Sequence, residues 1–415
     1  MQLATLFARL VGADLGVRFE AYDGSVSGPA ADVADVTITV NTPRALGHLA
    51  RAPGSLGLGR SYVVGDLDVH GDMRTALGAL SSVAVDRLDP GTRRDLFRAL
   101  ARSGAALIQA RHPSVEVRRL PGRRHSRQRD AQAIAHHYDV SNRFYELVLG
   151  PSMAYTCAVY PTEEATLEQA QAEKFDLVCR KLGLAPGMRL LDVGCGWGGM
   201  VRHAAEHYGV TAVGVTLSRH QAEYGAKLIA DAGVADRARV LHLDYRDAPG
   251  DGYDAVSSIG LTEHIGRRQL GPYFRSLYDR LRPGGRLLNH CIMRPDTRGP
   301  ALVRRGFINR YVFPDGELSG LGPIVSVMQD TGFEVRHEEN LREHYARTLT
   351  DWGRNLDTNW EEAVAEVGEE KARVWRLYMA GSRLGFERNQ IQLHQVLAVR
   401  PDADGAAWMP LRPTW

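Results

Sequence analysis

In the second half of the chain, short apolar runs alternate with segments whose apolar residues fall at helical spacing. Arg189–Val193, Thr211–Thr216, Arg239–Leu243, Ala255–Ile259 and Arg286–Ile292 have strand length and are rich in Val, Leu and Ile. Glu168–Leu182, the stretch ending near Glu206, Arg219–Ala232 and Gly271–Arg282 show the 3.6-residue period of helices. Elements in this order predict an α/β fold, a sheet with helices on both faces.

The first part of the chain reads as a smaller, separate unit. Met1–Val17 has helical spacing interrupted by Asp14, with no cleavage signal after it, and is expected to be a domain helix. Val36–Val40 predicts a strand, Gly54, Gly57 and Gly59 predict turns, and Arg94–Arg111 predicts a helix. The expected organisation is an N-terminal domain over 1–110 for lipid positioning or assembly, and a basic linker over 111–127. A main domain follows over 128–400, with a lid-like excursion at 293–326 and a tail at 401–415.

Composition narrows the class. Apolar residues make up 44% and charged residues 24%, as in ordinary globular domains, and no apolar run reaches membrane-spanning length. A net charge of +2 lacks the excess expected of a nucleic-acid binder, so no nucleic-acid partner is expected. Cys157, Cys179, Cys195 and Cys291 are widely spaced and form no CxxC, which argues against a disulfide scaffold or structural zinc and for a cytoplasmic setting. Charge does concentrate locally, at Arg118, Arg119, Arg123, Arg124, Arg127 and Arg129. That cluster reads either as a solvated hinge or as a contact with anionic lipid, where each cation gains roughly 1 kcal/mol.

The chemistry gathers at the carboxyl ends of the expected strands, where ligands of open α/β sheets bind. Leu190-Leu191-Asp192-Val193 runs into Gly194-Cys195-Gly196-Trp197-Gly198-Gly199, with four glycines in six positions. Such a turn admits a ligand close to the backbone, yet its spacing is neither that of a dinucleotide fingerprint nor that of a lysine-bearing phosphate loop. A nucleoside-type cofactor without a pyrophosphate is the expected ligand. Thr216 and Gln221 follow the second strand and offer uncharged hydrogen-bonding groups, and Asp244 and Tyr245 follow the third. Glu263 and His290 end later strands, and Cys157 lies in Tyr155-Thr156-Cys157-Ala158. The spacing of Glu263, His264, His290 and Cys157 fits no compact metal motif, so no metal is expected. Cys157 also lacks a nucleophile-type turn.

Together these motifs resemble the cyclopropane fatty-acyl-phospholipid synthase and mycolic-acid cyclopropane synthase family. The resemblance is carried by His136-His137-Tyr138-Asp139-Val140-Ser141-Asn142, VGCGWGG, GVTLS, DYRD, GLTEHIG, NRYVFPDGEL, HYARTLTDW and YMAGSRLGFERNQIQLHQVL. It implies a class I S-adenosylmethionine-dependent methyltransferase domain with a Rossmann-like seven-stranded sheet, joined to a smaller N-terminal domain. It implies S-adenosylmethionine as cofactor, held by Tyr138, Tyr155, Thr156, Asp192, Gly194, Gly196, Thr216, Leu217, Gln221, Asp244 and Tyr245. It further implies a bicarbonate ion held by Cys157, Glu263, His290, Tyr345 and the backbone of Ile292, with Cys157, Glu263, His290 and Tyr345 as the catalytic set. Tyr138, Phe144 or Tyr345 would accommodate positive charge on the substrate.

The implied reaction is methyl transfer to the cis double bond of an oleoyl-type phospholipid chain. Gly381-Ser382 stands where many relatives carry Ala-Cys, and Leu318-Ser319-Gly320 where Pro-Ser commonly follows the leucine. These departures resemble the actinobacterial fatty-acid C-methyltransferase branch, which implies a 10-methylene product, with a cyclopropane as the alternative product. The implied partners are unsaturated phospholipid, an anionic inner membrane face contacted peripherally, a homodimer and a reductase that saturates the methylene product. Three other readings compete: a lipid-binding protein without catalysis, a nicotinamide-dependent oxidoreductase and a small-molecule O- or N-methyltransferase.

Overall fold

The computed structural model describes residues 2–11, 16–52, 54–81, 91, 94, 98, 111–117, 121–138, 141–298 and 306–415, with backbone only at 10 and 135–138. The chain divides into two compact units, neither contiguous in sequence. One comprises Met1–Arg118, Arg304–Val312 and Leu356–Leu384; the other comprises Arg119–Val303, Phe313–Asn355 and Gly385–Trp415. The division therefore falls inside the stretch 128–400 and cuts the 293–326 excursion.

The first unit holds strands β1 (Val17–Ala21), β2 (Val26–Ser27), β3 (Val36–Val40) and β4 (Leu67–Gly71) in the order β2-β1-β3-β4. Val36, Ile38 and Val40 face the core while Thr37 and Thr39 are half-exposed, the alternation that identified β3 in the sequence. The N-terminal segment forms helix Leu3–Val11, as its spacing predicts. Gly57 and Gly59 are not turn residues; both lie inside helix Ser55–Val63. A Cβ on Gly57 would stand 2.2 Å from the Ala52 carbonyl oxygen, and one on Gly59 would stand 2.4 Å from the Phe307 ring. These glycines serve close packing, and only Gly54 has the positive φ of a turn, at 89°. Arg373 donates to Asp68 and to the Tyr62 carbonyl, which ties Leu356–Leu384 into this unit. Most of the helix expected over Arg94–Arg111 lies outside the described residues.

The second unit is built on a seven-stranded sheet in the order β10-β11-β9-β8-β5-β6-β7. Its strands are β5 (Arg189–Val193), β6 (Thr211–Thr216), β7 (Ala238–His242), β8 (Tyr253–Ile259), β9 (Leu281–Met293), β10 (Glu334–Asn340) and β11 (Gln392–Val399). The five strands β5 to β9 are parallel, and β11 runs antiparallel to β9 and β10. Leu190, Ala212, Val240, Ala255, Leu288 and Leu397 pack into a core on one face. Leu191, Val213, Val256, Leu287 and Val396 pack into another on the opposite face. Burial on both faces explains why β5, β6, β8 and β9 read as near-continuous apolar runs, whereas the edge strand β7 alternates.

Helix Leu167–Leu182 begins with a reciprocal capping box between Thr166 and Gln169 and ends at Gly183 in the left-handed conformation. In the tail, Met409 and Trp415 pack against the core that contains Leu190. In the basic segment, Arg129 makes a two-pronged contact with Asp315 at 2.6 and 2.9 Å, Arg124 approaches the same carboxylate at 3.3 Å, and Arg127 pairs with Asp247. No helix among the described residues is long and apolar enough to cross a membrane.

Candidate functional site

The chain leaves β5 toward β6 and β7 on one side of the sheet, then returns to β8 and β9 on the other. This reversal opens a crevice beyond the carboxyl end of β5, where the glycine turn lies. Gly194 and Gly196 have φ of +74° and +55° and line a cavity in the second unit. The turn is pinned by the Val215 carbonyl, which accepts from the amides of Gly194 and Cys195 at 2.9 and 3.0 Å. Gly198 serves another purpose: a Cβ there would stand 2.6 Å from Val240 Cγ2.

Tyr155, Thr156, Asp192, Thr216, Leu217, Gln221 and Tyr245 join Gly194 and Gly196 around this cavity. Ser218 caps helix Arg219–Asp231 by accepting from the Gln221 amide. The Gln221 side chain in turn accepts from Thr216 Oγ1 at 2.7 Å, so two predicted cofactor residues form one polar corner. Asp192 accepts from Ser257 Oγ at 2.7 Å, its register partner on β8, and burial raises the carboxyl to about 7. Asp244 is placed differently: it caps the turn Tyr245–Asp247, and Arg246 occupies both its oxygens. The side chain of Tyr138 lies outside the described residues.

Several residues in or behind the cavity wall were not singled out in the sequence. Lys174 is buried, donates to Thr156 Oγ1 at 3.0 Å and lies 3.6 Å from the centroid of the Phe175 ring. Burial lowers its ammonium to about 7. Gln171 donates to the carbonyls of Ala154 and Thr156 and so fixes the loop that carries Tyr155 and Thr156. The available signal was polar residues on the buried face of an amphipathic helix: Gln171, Lys174 and Lys181 share that face with Leu167, Val178 and Leu182. Trp197, from the turn itself, donates to Asn142 at 2.9 Å.

Glu263 meets the backbone at the carboxyl end of β9, the strand that carries His290, and Cys157 and Tyr345 are buried elsewhere in the same unit. Glu263, on the short helix Thr262–Ile265, accepts from the Ile292 amide at 2.6 Å through Oε1. Its Oε2 is buried with no hydrogen-bond partner among the described residues, and the same holds for His290 Nε2. Burial raises the Glu263 carboxyl to about 7. Burial, reinforced by the Lys174 and Lys181 charges, holds the His290 imidazole neutral. Cys157 is fully buried, its thiol is pushed far up by burial, and its Sγ approaches the Ala158 carbonyl at 3.2 Å, so it is no thiolate nucleophile. Tyr345 is buried between Phe386 and Trp352, at ring-centroid distances of 4.5 and 6.1 Å.

Residues 125–396 match the family model described as mycolic acid cyclopropane synthetase. The chain belongs to this family. A probable fatty acid methyltransferase of Mycobacterium tuberculosis is 52% identical over 407 residues, covering 96% of this chain and 94% of that protein. A probable fatty acid methyltransferase of Pseudomonas putida is 40% identical over 414 residues, covering 98% of each. Among solved structures, the mycolic acid cyclopropane synthase CmaA1 of the complex with SAH and CTAB superposes with a TM-score of 0.61. It shares 33% identity and covers 65% of this chain and 98% of that one. This chain is thus an S-adenosylmethionine-dependent methyltransferase, not a nicotinamide oxidoreductase.

The residues around the cavity fit that cofactor: a glycine turn admits its close approach, and polar groups of Thr216, Gln221, Asp192 and Thr156 surround the space. Glu263 Oε2 and His290 Nε2 are each a buried polar atom with no partner among the described residues, the kind of atom a bound small polar group can satisfy. Ser382, where the family resemblance suggested a lost cysteine, falls in the first unit and is not among the residues that line the cofactor cavity.

Proposed function

We propose that this methyltransferase adds the methyl carbon of S-adenosylmethionine to the cis double bond of an oleoyl-type phospholipid chain, leaving a 10-methylene branch. The observation that carries this reading is a run of aromatic rings that leads away from the glycine turn of the cofactor cavity, in the unit that also buries Glu263 and His290. The rings follow one another from the glycine turn: Trp197 to Tyr145 at 4.7 Å, Tyr145 to Tyr155 at 5.8 Å and Tyr155 to Trp352 at 5.3 Å. Trp352 then leads to Tyr345 at 6.1 Å. An alkene is a weak nucleophile, and its attack on an electrophilic methyl leaves positive charge on the acyl chain. Aromatic faces accommodate such charge without reacting with it, and a dry, packed wall keeps water from trapping it.

Bicarbonate, when bound, would supply a base for the proton that must leave. Glu263, with its carboxyl near 7, is suited to exchange a proton with that base, and neutral His290 to hold it. Cys157, the Ile292 backbone and Tyr345 complete the proposed bicarbonate site. A hydride shift before proton loss gives the methylene branch, whereas direct loss closes a cyclopropane ring. The Gly381-Ser382 and Leu318-Ser319-Gly320 departures favour the branch; the match to the cyclopropane synthetase family model favours the ring as a second reading. The setting we propose is cytoplasmic and peripheral to an anionic inner membrane face. There the 1–110 region would position lipid or mediate a homodimer, and a reductase would saturate the product.

The test is incubation of purified protein with methyl-labelled S-adenosylmethionine and oleoyl phospholipid vesicles, followed by fatty-acid mass spectrometry and NMR. Olefinic exocyclic-methylene signals are expected. Ring-proton signals would establish cyclopropanation instead. Absence of label transfer by folded, cofactor-binding protein would leave a lipid-binding role without catalysis.

A further inference from the structure

Three strands meet in one polar row that ends on His290. Glu339 on β10 is the register partner of Gln395 on β11, and Gln395 is the register partner of His290 on β9. Gln395 and His290 are fully buried, as is Lys181, which reaches this row from helix Leu167–Leu182. Lys181 Nζ donates to Glu339 Oε2 at 2.5 Å and to Gln395 Oε1 at 2.7 Å. Gln395 Nε2 stands 3.2 Å from His290 Nδ1.

The hydrogen-bonding inventory leaves little freedom here. An ammonium only donates, so the group of Gln395 facing Lys181 must be its carbonyl oxygen. The amide nitrogen, which also only donates, then faces His290. Nδ1 must accept, and a neutral imidazole that accepts at Nδ1 carries its hydrogen on Nε2. That is the nitrogen that is buried without a hydrogen-bond partner among the described residues. A hydrogen bond to one ring nitrogen commonly decides which nitrogen of a histidine meets a ligand.

We propose that Gln395, oriented by Lys181, is a positioning residue that fixes His290 as the Nε2–H tautomer and so presents a hydrogen-bond donor to the oxyanion of the base. The choice of base rests on the bicarbonate reading above; the tautomer does not. Glu339 anchors Lys181 so that the burial of its ammonium is compensated. The row thereby converts a charge at the sheet edge into a defined proton position on the His290 ring, without placing a charge on the ring itself.

The test uses the full chain labelled with ¹⁵N-histidine, with the His290 signals assigned by their loss in His290→Asn. Long-range proton–nitrogen correlation spectra should show His290 protonated at Nε2 and bare at Nδ1. In Gln395→Glu the new carboxylate accepts from both Lys181 and the ring, so the hydrogen should move to Nδ1. In Gln395→Met and Lys181→Met the two tautomers should mix. Sodium bicarbonate titrated into CO2-free assays should show a half-saturating concentration raised about tenfold in Gln395→Glu, with S-adenosylhomocysteine affinity unchanged. A wild-type His290 protonated at Nδ1, or an unaltered spectrum in folded Gln395→Glu, would overturn the proposal. Wild-type transfer independent of bicarbonate would instead remove that ion from the proposed function, and the spectra would still judge the relay.

Discussion

The Lys174 ammonium donates to the Thr156 hydroxyl at 3.0 Å inside the cofactor cavity. Lys174 is the one lysine or arginine among the described residues that line this cavity. S-adenosylmethionine carries a carboxylate on its methionine end, and a charged hydrogen bond in a buried site contributes about 1.5–3 kcal/mol. Lys174→Met is therefore expected to weaken S-adenosylhomocysteine binding about tenfold or more, as measured by titration calorimetry. Unchanged affinity would remove Lys174 from cofactor recognition.

Glu263 predicts a pH signature in stability. Its carboxyl is raised from 4.5 to about 7 by burial, so the folded protein holds this proton more tightly than the unfolded chain. The associated stability is fully present below about pH 4.5 and is lost as pH rises through about 7. Glu263→Gln keeps an acceptor for the Ile292 amide and removes the titration. The variant should gain up to about 3 kcal/mol over wild type by pH 8, with the gain growing from pH 4.5 upward. Urea unfolding across this range checks it, and parallel curves would count against the raised carboxyl. Turnover of the same variant should fall far more than its cofactor affinity.

Trp352 is fully buried, and its ring lies between those of Tyr155 and Tyr345. If the rings stabilise positive charge on the acyl chain, Trp352→Phe should retain more kcat than Trp352→Leu, by about tenfold, at similar KM. Equal kcat in the two folded variants would reduce Trp352 to packing alone.

Two glycines of the same turn should separate stability from binding. Gly198 has φ of +76° and no room for a Cβ beside Val240, so Gly198→Ala should cost about 2 kcal/mol or more in urea unfolding. Gly196 has φ of +55° and open space around it, on the cavity wall. Gly196→Ala should cost about 1 kcal/mol of stability and act mainly on S-adenosylhomocysteine affinity. Equal stability losses would show that space beside Val240 is not what Gly198 provides.

The strands β5, β6, β8 and β9 were legible because both faces of each are buried, which writes apolar runs into the sequence, while the edge strand β7 keeps one buried face. Strand β10 was not, because Glu334–Asn340 is an edge strand whose residues are all partly or fully exposed and mostly polar. Gly57 and Gly59 misled for a related reason: a glycine selected for close helix packing has the same letter as one selected for a turn. Most predicted cofactor residues do surround one cavity, whereas Asp244 turns to Arg246.

Local sequence determined the parallel strands, the glycine turn and the residue types available at the strand ends, since backbone sterics and burial act within a few positions of each residue. Only the tertiary structure decided the relations among distant residues. It brought Leu356–Leu384 to the N-terminal unit, laid Lys174 against Thr156, and aligned Glu339, Gln395 and His290 across three strands. A hydrogen bond depends on where two groups meet in space, and residues 290 and 395 are joined by strand register rather than by proximity along the chain.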